Sequence, residues 1–118
     1  MSTWIDTARQ IAGDGERARD YGSPLVNFLR IAILWSHWLN YKVTPGDVAW
    51  MMVLIKVARE QATHKDNNAI DIIGYLHCLD MMNQEMRERG FSGVSLFDDC
   101  SLAVMQTIYE IVKGDKSE

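Results

Sequence analysis

Cysteine is scarce in this chain: Cys78 and Cys100 form no CxxC pair, and both lie within apolar stretches. That excludes a zinc ribbon and a secreted disulfide framework and predicts two reduced core residues. Basic charge is also in deficit, with 12 Lys and Arg against 16 Asp and Glu for a net charge of −4. A bulk electrostatic footprint for duplex nucleic acid is therefore missing, although a few cations converging in one cleft can still hold phosphate. No uncharged apolar run approaches the ~18 residues of a membrane span, and Met1-Ser2-Thr3-Trp4 opens no signal-like pattern. The expected compartment is the cytoplasm, with no membrane partner. Also absent are GxGxxG, the P-loop pattern and GxSxG, which removes dinucleotide, P-loop and hydrolase-elbow readings. His37, His64 and His77 lack HxH, HExxH or HxxxH spacing, so no zinc or nucleophile-base constellation is supported.

What is present is helix. Residues 1–118 have the length and composition of one globular domain, burying about two-thirds of its unfolded surface, so it either folds alone with modest stability or completes its core by oligomerising. The only two prolines each follow a hydroxyl residue, in Ser23-Pro24 and Thr44-Pro45. A capping side chain directly before a proline at the first helical position predicts helix starts near 24 and 45.

The first of these helices runs to about Asn40 and carries Leu25, Phe28, Leu29, Ala32, Trp35 and Trp38 on a face expected to be core. The second, from Asp47 to about Gln61, is apolar all round from Val48 to Ile55 until Lys56 interrupts it, and reads as a central or oligomer-interface helix. A polar link, Thr63 to Asn68, precedes a helix continuing to Arg89 and stopping at Gly90. The last helix is placed from about Leu96 to Lys113, with a frayed tail beyond Gly114. Thr3 to Ala12 reads as a short helix. The expected fold class is all-α, a compact antiparallel bundle of about five helices.

Lys56 and Arg59 stand at i and i+3 on the apolar helix and share a face. A lysine beside Met52, Val53 and Ile55 requires an anion opposite it. That anion is either Asp71 of the following antiparallel helix, which makes the feature an interhelical ion pair, or the phosphate of a ligand. In the phosphate reading Lys56 supplies a point charge, Arg59 a bidentate fork and Lys65 a third cation. Asn67, Asp71, Gly74 and Tyr75 share a helical stripe suited to something polar or planar. Asp66 and Asp71 offer oxygen ligands for Mg²⁺, but two carboxylates five residues apart make a sparse set, and Asp66 has the alternative role of helix cap. Arg17, Tyr21 and Asn27 bracket the turn Tyr21-Gly22-Ser23-Pro24. That turn is either an anion or base site, or a structured corner with Tyr21 on the core and Arg17 paired to Asp14 or Asp20.

Gly13-Asp14 with Arg17, Tyr21-Gly22, Pro24, Asn27-Phe28, Ile31-Ala32 and Trp35 resembles the opening of a small helical family common in phages and prophages, of unassigned function and often described as MazG-like. The stretch from Thr44 to Tyr75 is similar to that family's second half through Asp47-Val48-Ala49, Met51 to Leu54, Lys56, Ala58-Arg59, Lys65-Asp66-Asn67, Asp71 and Gly74-Tyr75. The resemblance covers about residues 10 to 80. It implies an all-helical domain related to oligomeric, Mg²⁺-dependent nucleotide pyrophosphohydrolases, whose facing ExxE and ExxD pairs hold the metal. This chain departs from that pattern: the Pro24 to Trp38 helix has no carboxylate, and of the later acidic pair only Asp71 matches.

Three readings follow. The first is a pyrophosphohydrolase in the cytoplasm of a phage host, with Asp71 catalytic, Asp66 and Asp71 on Mg²⁺, Lys56, Arg59 and Lys65 on phosphates, and Tyr75 or Trp35 against the base. The second is a homo-oligomeric module that binds a nucleotide through the same residues, with Arg17, Tyr21, Asn27 and Asn67 nearby, and sequesters a host signalling nucleotide without turnover. The third is a structural or interaction protein whose polar groups are interhelical pairs.

Overall fold

The hydroxyl-proline pairs act as helix starts because each hydroxyl satisfies a backbone N–H that the first turn leaves free. In the computed structural model, which describes residues 3–12, 21–91, 93–97 and 100–114, Ser23 Oγ accepts from the Val26 N–H at 3.3 Å. Thr44 Oγ1 accepts from the Asp47 N–H, and Asp47 Oδ2 accepts from the Thr44 N–H, both at 3.1 Å, closing a reciprocal capping box. The described elements are α1 (Thr3–Ala12), α2 (Pro24–Leu39), α3 (Pro45–Ala62), α4 (Asp66–Glu88) and α5 (Leu102–Lys113), with no strand among the described residues. Asn40 ends α2 in the left-handed region at φ 54°, a conformation that asparagine tolerates better than most residues. None of these helices is long and apolar enough to cross a membrane.

Short connections make α2, α3 and α4 successive neighbours, and α4 is the hub: α1, α2 and α3 all pack on it, while α5 packs on α2. Leu25, Phe28, Leu29 and Ala32 of α2 meet Val48 and Ala49 of α3, Cys78, Met82 and Met86 of α4, and Met105, Ile108 and Val112 of α5 in one core. Both cysteines are buried free thiols, and burial pushes the Cys100 thiol up to about 11.

Several boundaries differ from the sequence expectation. Helix α5 begins at Leu102, not near Leu96, and is capped by Ser101 Oγ accepting from the Val104 N–H at 3.2 Å. Leu96 lies in the turn-rich segment before it, fully buried, with its carbonyl accepting from the Gly46 N–H at 3.0 Å. The ring of Phe97 covers Gly46 so closely that a β-carbon there would sit 2.2 Å from it. Helix α4 starts at Asp66, so the polar link shortens to residues 63–65. Its N-cap is Lys65, without a side-chain bond, and Asp66 does not fill that role. Trp38, expected in the core, is 87% exposed because it falls in the last turn of α2 and points away from the packed stripe. Tyr21 is exposed rather than packed on the core. Arg17 and its expected acidic partners, together with the tail beyond Gly114, lie outside the described residues.

Candidate functional site

Lys56 sits on the inner side of α3, and its ammonium meets Asp71 Oδ2 of α4 at 2.9 Å, with the two side chains 16% and 38% exposed. The anion that the apolar surroundings demand is thus supplied from within the chain. Asp71 lies one turn before Tyr75, which is half-buried and packs against the core, as does Trp35 of α2. Arg59 and Lys65 are exposed, and neither side chain makes a hydrogen bond or ion pair to another described residue. Asn67 is exposed at the start of α4.

A second cluster closes the α3–α4 turn and was not anticipated from the sequence. Glu60 receives the Asn68 side-chain amide at 2.9 Å and the Lys65 N–H at 3.2 Å on one carboxylate oxygen, and His64 Nδ1 on the other. His64 Nε2 stands 3.4 Å from Asp66. Asn68 is itself buried and also donates to the Thr63 carbonyl at 3.5 Å. The Asn68 amide, reinforced by His64 and the Lys65 N–H, holds the Glu60 carboxyl down at about 2, and the bond to Glu60 raises the His64 pKa above its ordinary value. The i, i+4 spacing of Glu60 and His64 was the available signal for half of this cluster.

The start of α2 forms a third group. Arg30 donates to the Tyr21 carbonyl at 3.3 Å, to Asn27 Oδ1 at 3.5 Å and to the Tyr109 hydroxyl of α5 at 3.2 Å. Its guanidinium lies 5.8 Å from the Tyr109 ring centre. Asn27 and Tyr21 are thereby joined through Arg30, a residue that the sequence analysis passed over although it is the only Lys or Arg on α2.

Magnesium needs several oxygen donors converging without a competing cation. Asp71 is engaged by Lys56 and Asp66 faces His64, so the two carboxylates serve different partners. No group of three or more His, Cys, Asp or Glu among the described residues is placed to hold a metal ion. The carboxylates among the described residues therefore form no donor set that fits a hard divalent cation.

Among the described residues, an all-helical domain with a half-buried lysine neutralised across two antiparallel helices, and with exposed cations at the margin that bond no other described side chain, is the class of protein defined to this point. Residues 3–83 match the family described as "Domain of unknown function (DUF6378)", and the chain belongs to that family. It is 40% identical over 97 residues to the Gene 55 protein of Mycobacterium phage L5, spanning 80% of this chain and 61% of that one. To the Gene 55 protein of Mycobacterium phage D29 it is 40% identical over 73 residues, 60% of this chain and 48% of that one. The chain thus spans about half to three-fifths of the curated relatives it matches. No solved structure matches it.

Proposed function

We propose that this domain, MazG-like in fold, binds a phosphorylated nucleotide along the α3–α4 seam and holds it without a metal. The observation that carries the reading is the charge arrangement: Lys56 is fixed by Asp71, while Arg59, three residues on along α3, and Lys65, at the N-cap of α4, have side chains without a partner among the described residues. An Arg fork and a Lys point charge flanking a positioned ammonium suit the oxygens of a phosphate chain. Asp71 acts as the positioning residue for Lys56, and Asn67 and Tyr75 share its side of α4. Tyr75 or Trp35 offers a ring to the base. The sparse carboxylates favour retention of the nucleotide over its cleavage. In a phage protein acting in the host cytoplasm, retention amounts to sequestration.

Native mass spectrometry of the purified protein with pooled nucleotides, with and without EDTA, tests the proposal. A nucleotide retained intact in EDTA, and lost from Arg59→Ala and Lys65→Ala, is the expected result. Absence of any retained nucleotide, or retention unaffected by both substitutions, overturns it. Release of pyrophosphate only when Mg²⁺ is supplied replaces it with the hydrolase reading.

A further inference from the structure

Among the described residues three cations are half-buried: Arg30, Lys56 and Arg89. Two of them meet a carboxylate at 2.9 Å, Lys56 at Asp71 and Arg89 at Glu85. Arg30 meets no carboxylate among the described residues. Its acceptors are the Tyr109 hydroxyl at 3.2 Å, the Tyr21 carbonyl at 3.3 Å and Asn27 Oδ1 at 3.5 Å, all of them neutral. Neutral acceptors at that range orient a guanidinium without offsetting its charge, and a partly dehydrated charge lacking a counterion is costly. As Lys56 requires Asp71, Arg30 requires an anion from beyond the described residues. We infer that Arg30, Tyr109 and Lys113 form a binding site for the phosphate of a phosphomonoester at the seam between α2 and α5.

The donors at this seam and their charge select that ligand. Arg30 spends Nε on Tyr109 and Nη1 on Tyr21 and Asn27, which leaves the two N–H groups of Nη2 uncommitted among the described residues. Tyr109 Oη accepts from Arg30, so its own O–H remains available to donate. The Lys113 ammonium stands 5.3 Å from the centre of the Tyr109 ring, which the Arg30 guanidinium approaches at 5.8 Å. Two cations gathered about one neutral ring repel each other and favour a ligand carrying more than one negative charge. Glu110 answers part of that charge by holding Lys113 at 3.0 Å, but the two side chains are 66% and 45% exposed and water screens the pair. A phosphomonoester brings about −1.5 to −2 charges and three terminal oxygens to a guanidinium nitrogen, a phenol and an ammonium. A carboxylate or a phosphodiester brings a single charge and two free oxygens. Arg59 and Lys65 take no part, so the inference does not depend on nucleotide binding at the α3–α4 seam.

NMR titration of the full chain with methyl phosphate at constant ionic strength is the test, following the Arg30 Nε–H and the α5 amides. Saturable shifts, half-complete at or below about 1 mM, are expected, with acetate and dimethyl phosphate about tenfold weaker. Lys113→Gln should weaken binding about threefold, Tyr109→Phe about tenfold, and Arg30→Lys, which keeps the charge and loses the fork, about thirtyfold. Arg59→Ala should change nothing. Arg30 also ties α2 to α5, so circular dichroism accompanies each variant, and the two α5 variants carry the test if Arg30→Lys fails to fold. Absence of a saturable shift, equal binding of acetate, or binding untouched by both α5 variants overturns the inference. So does binding abolished by Arg59→Ala, which moves the phosphate to α3. Inorganic phosphate run in parallel separates the sources: tighter binding of the free ion than of methyl phosphate overturns the ester.

Discussion

Replacing Asp71 by Ala removes the partner of a lysine whose side chain is 16% exposed. Breaking a fully buried pair from one side costs about 3–5 kcal/mol, because the surviving charge is left without compensation. Here Asp71 is itself 38% exposed, so water already shares the pair, and the aliphatic stem of Lys56 lets its ammonium shift toward solvent. Those two facts bring the loss to about 2 kcal/mol, and the better helix propensity of Ala returns about 0.5 kcal/mol. A net loss of about 1–2 kcal/mol is expected, which at this chain length lowers the melting temperature by roughly 5–10 °C. Lys56→Met is the informative partner. It removes the buried charge, fills the same space and leaves behind a carboxylate that water can reach, so its cost is expected below about 0.5 kcal/mol. Urea unfolding of both single variants and of the double variant measures the asymmetry, and the double should be no less stable than Asp71→Ala alone. If Asp71→Ala is neutral, or if Lys56→Met is the more damaging of the two, the assignment of Asp71 as the counterion that makes Lys56 tolerable is refuted.

Ser36 is buried, its hydroxyl donating to the Val43 carbonyl at 3.0 Å and accepting from the Val43 N–H at 2.8 Å. Ser36→Ala leaves both backbone groups unpaired and should cost about 2–3 kcal/mol in chemical denaturation; a loss under 0.5 kcal/mol would mean the 40–44 link is held by other means. Gly46→Ala drives a β-carbon into the Phe97 ring and should cost about 1–3 kcal/mol in thermal unfolding, with restoration by Phe97→Leu. The α3–α4 turn is pH-dependent with two opposite signs. Glu60 is depressed, so its contribution is present above its ordinary 4.5 and is lost as pH falls through about 2; His64 is raised, so its contribution is full below 6.5 and disappears as pH rises through its elevated value. The turn is therefore most strongly tied between about pH 4.5 and 6.5. An NMR titration should place the His64 midpoint above 6.5 and move it back toward 6.5 in Glu60→Gln; a midpoint unmoved by that change would remove Glu60 as the cause.

Helix starts were legible where chemistry at one position decides them: a hydroxyl before a proline has few other uses, and both such sites open helices. The start of α5 was not, because apolar spacing cannot tell a helical leucine from a loop leucine dipping into the core, and Leu96 is the latter. Ser101, directly before Leu102, carried the capping signal. The Lys56–Asp71 contact could be anticipated because a cation in an apolar run demands an anion, and the next helix offered one at the right height. Glu60 escaped notice since its partners come from the turn itself, whose shape no periodicity encodes. Trp38 misled through its type: a large apolar side chain at a plausible spacing looks like core, and only the end of α2 shows otherwise.

The hydrogen bond from Gly46 to Leu96, with Phe97 lying over the same glycine, spans fifty positions of chain. It fastens the first turn of α3, inside the stretch shared with the family, to a segment beyond residue 83 where that match stops. Met86, Leu96, Met105, Ile108 and Val112 complete the core from the same unmatched part. Cutting the chain at residue 83 would uncover the floor of the domain, so the stretch matched by the family is smaller than the unit that must fold together.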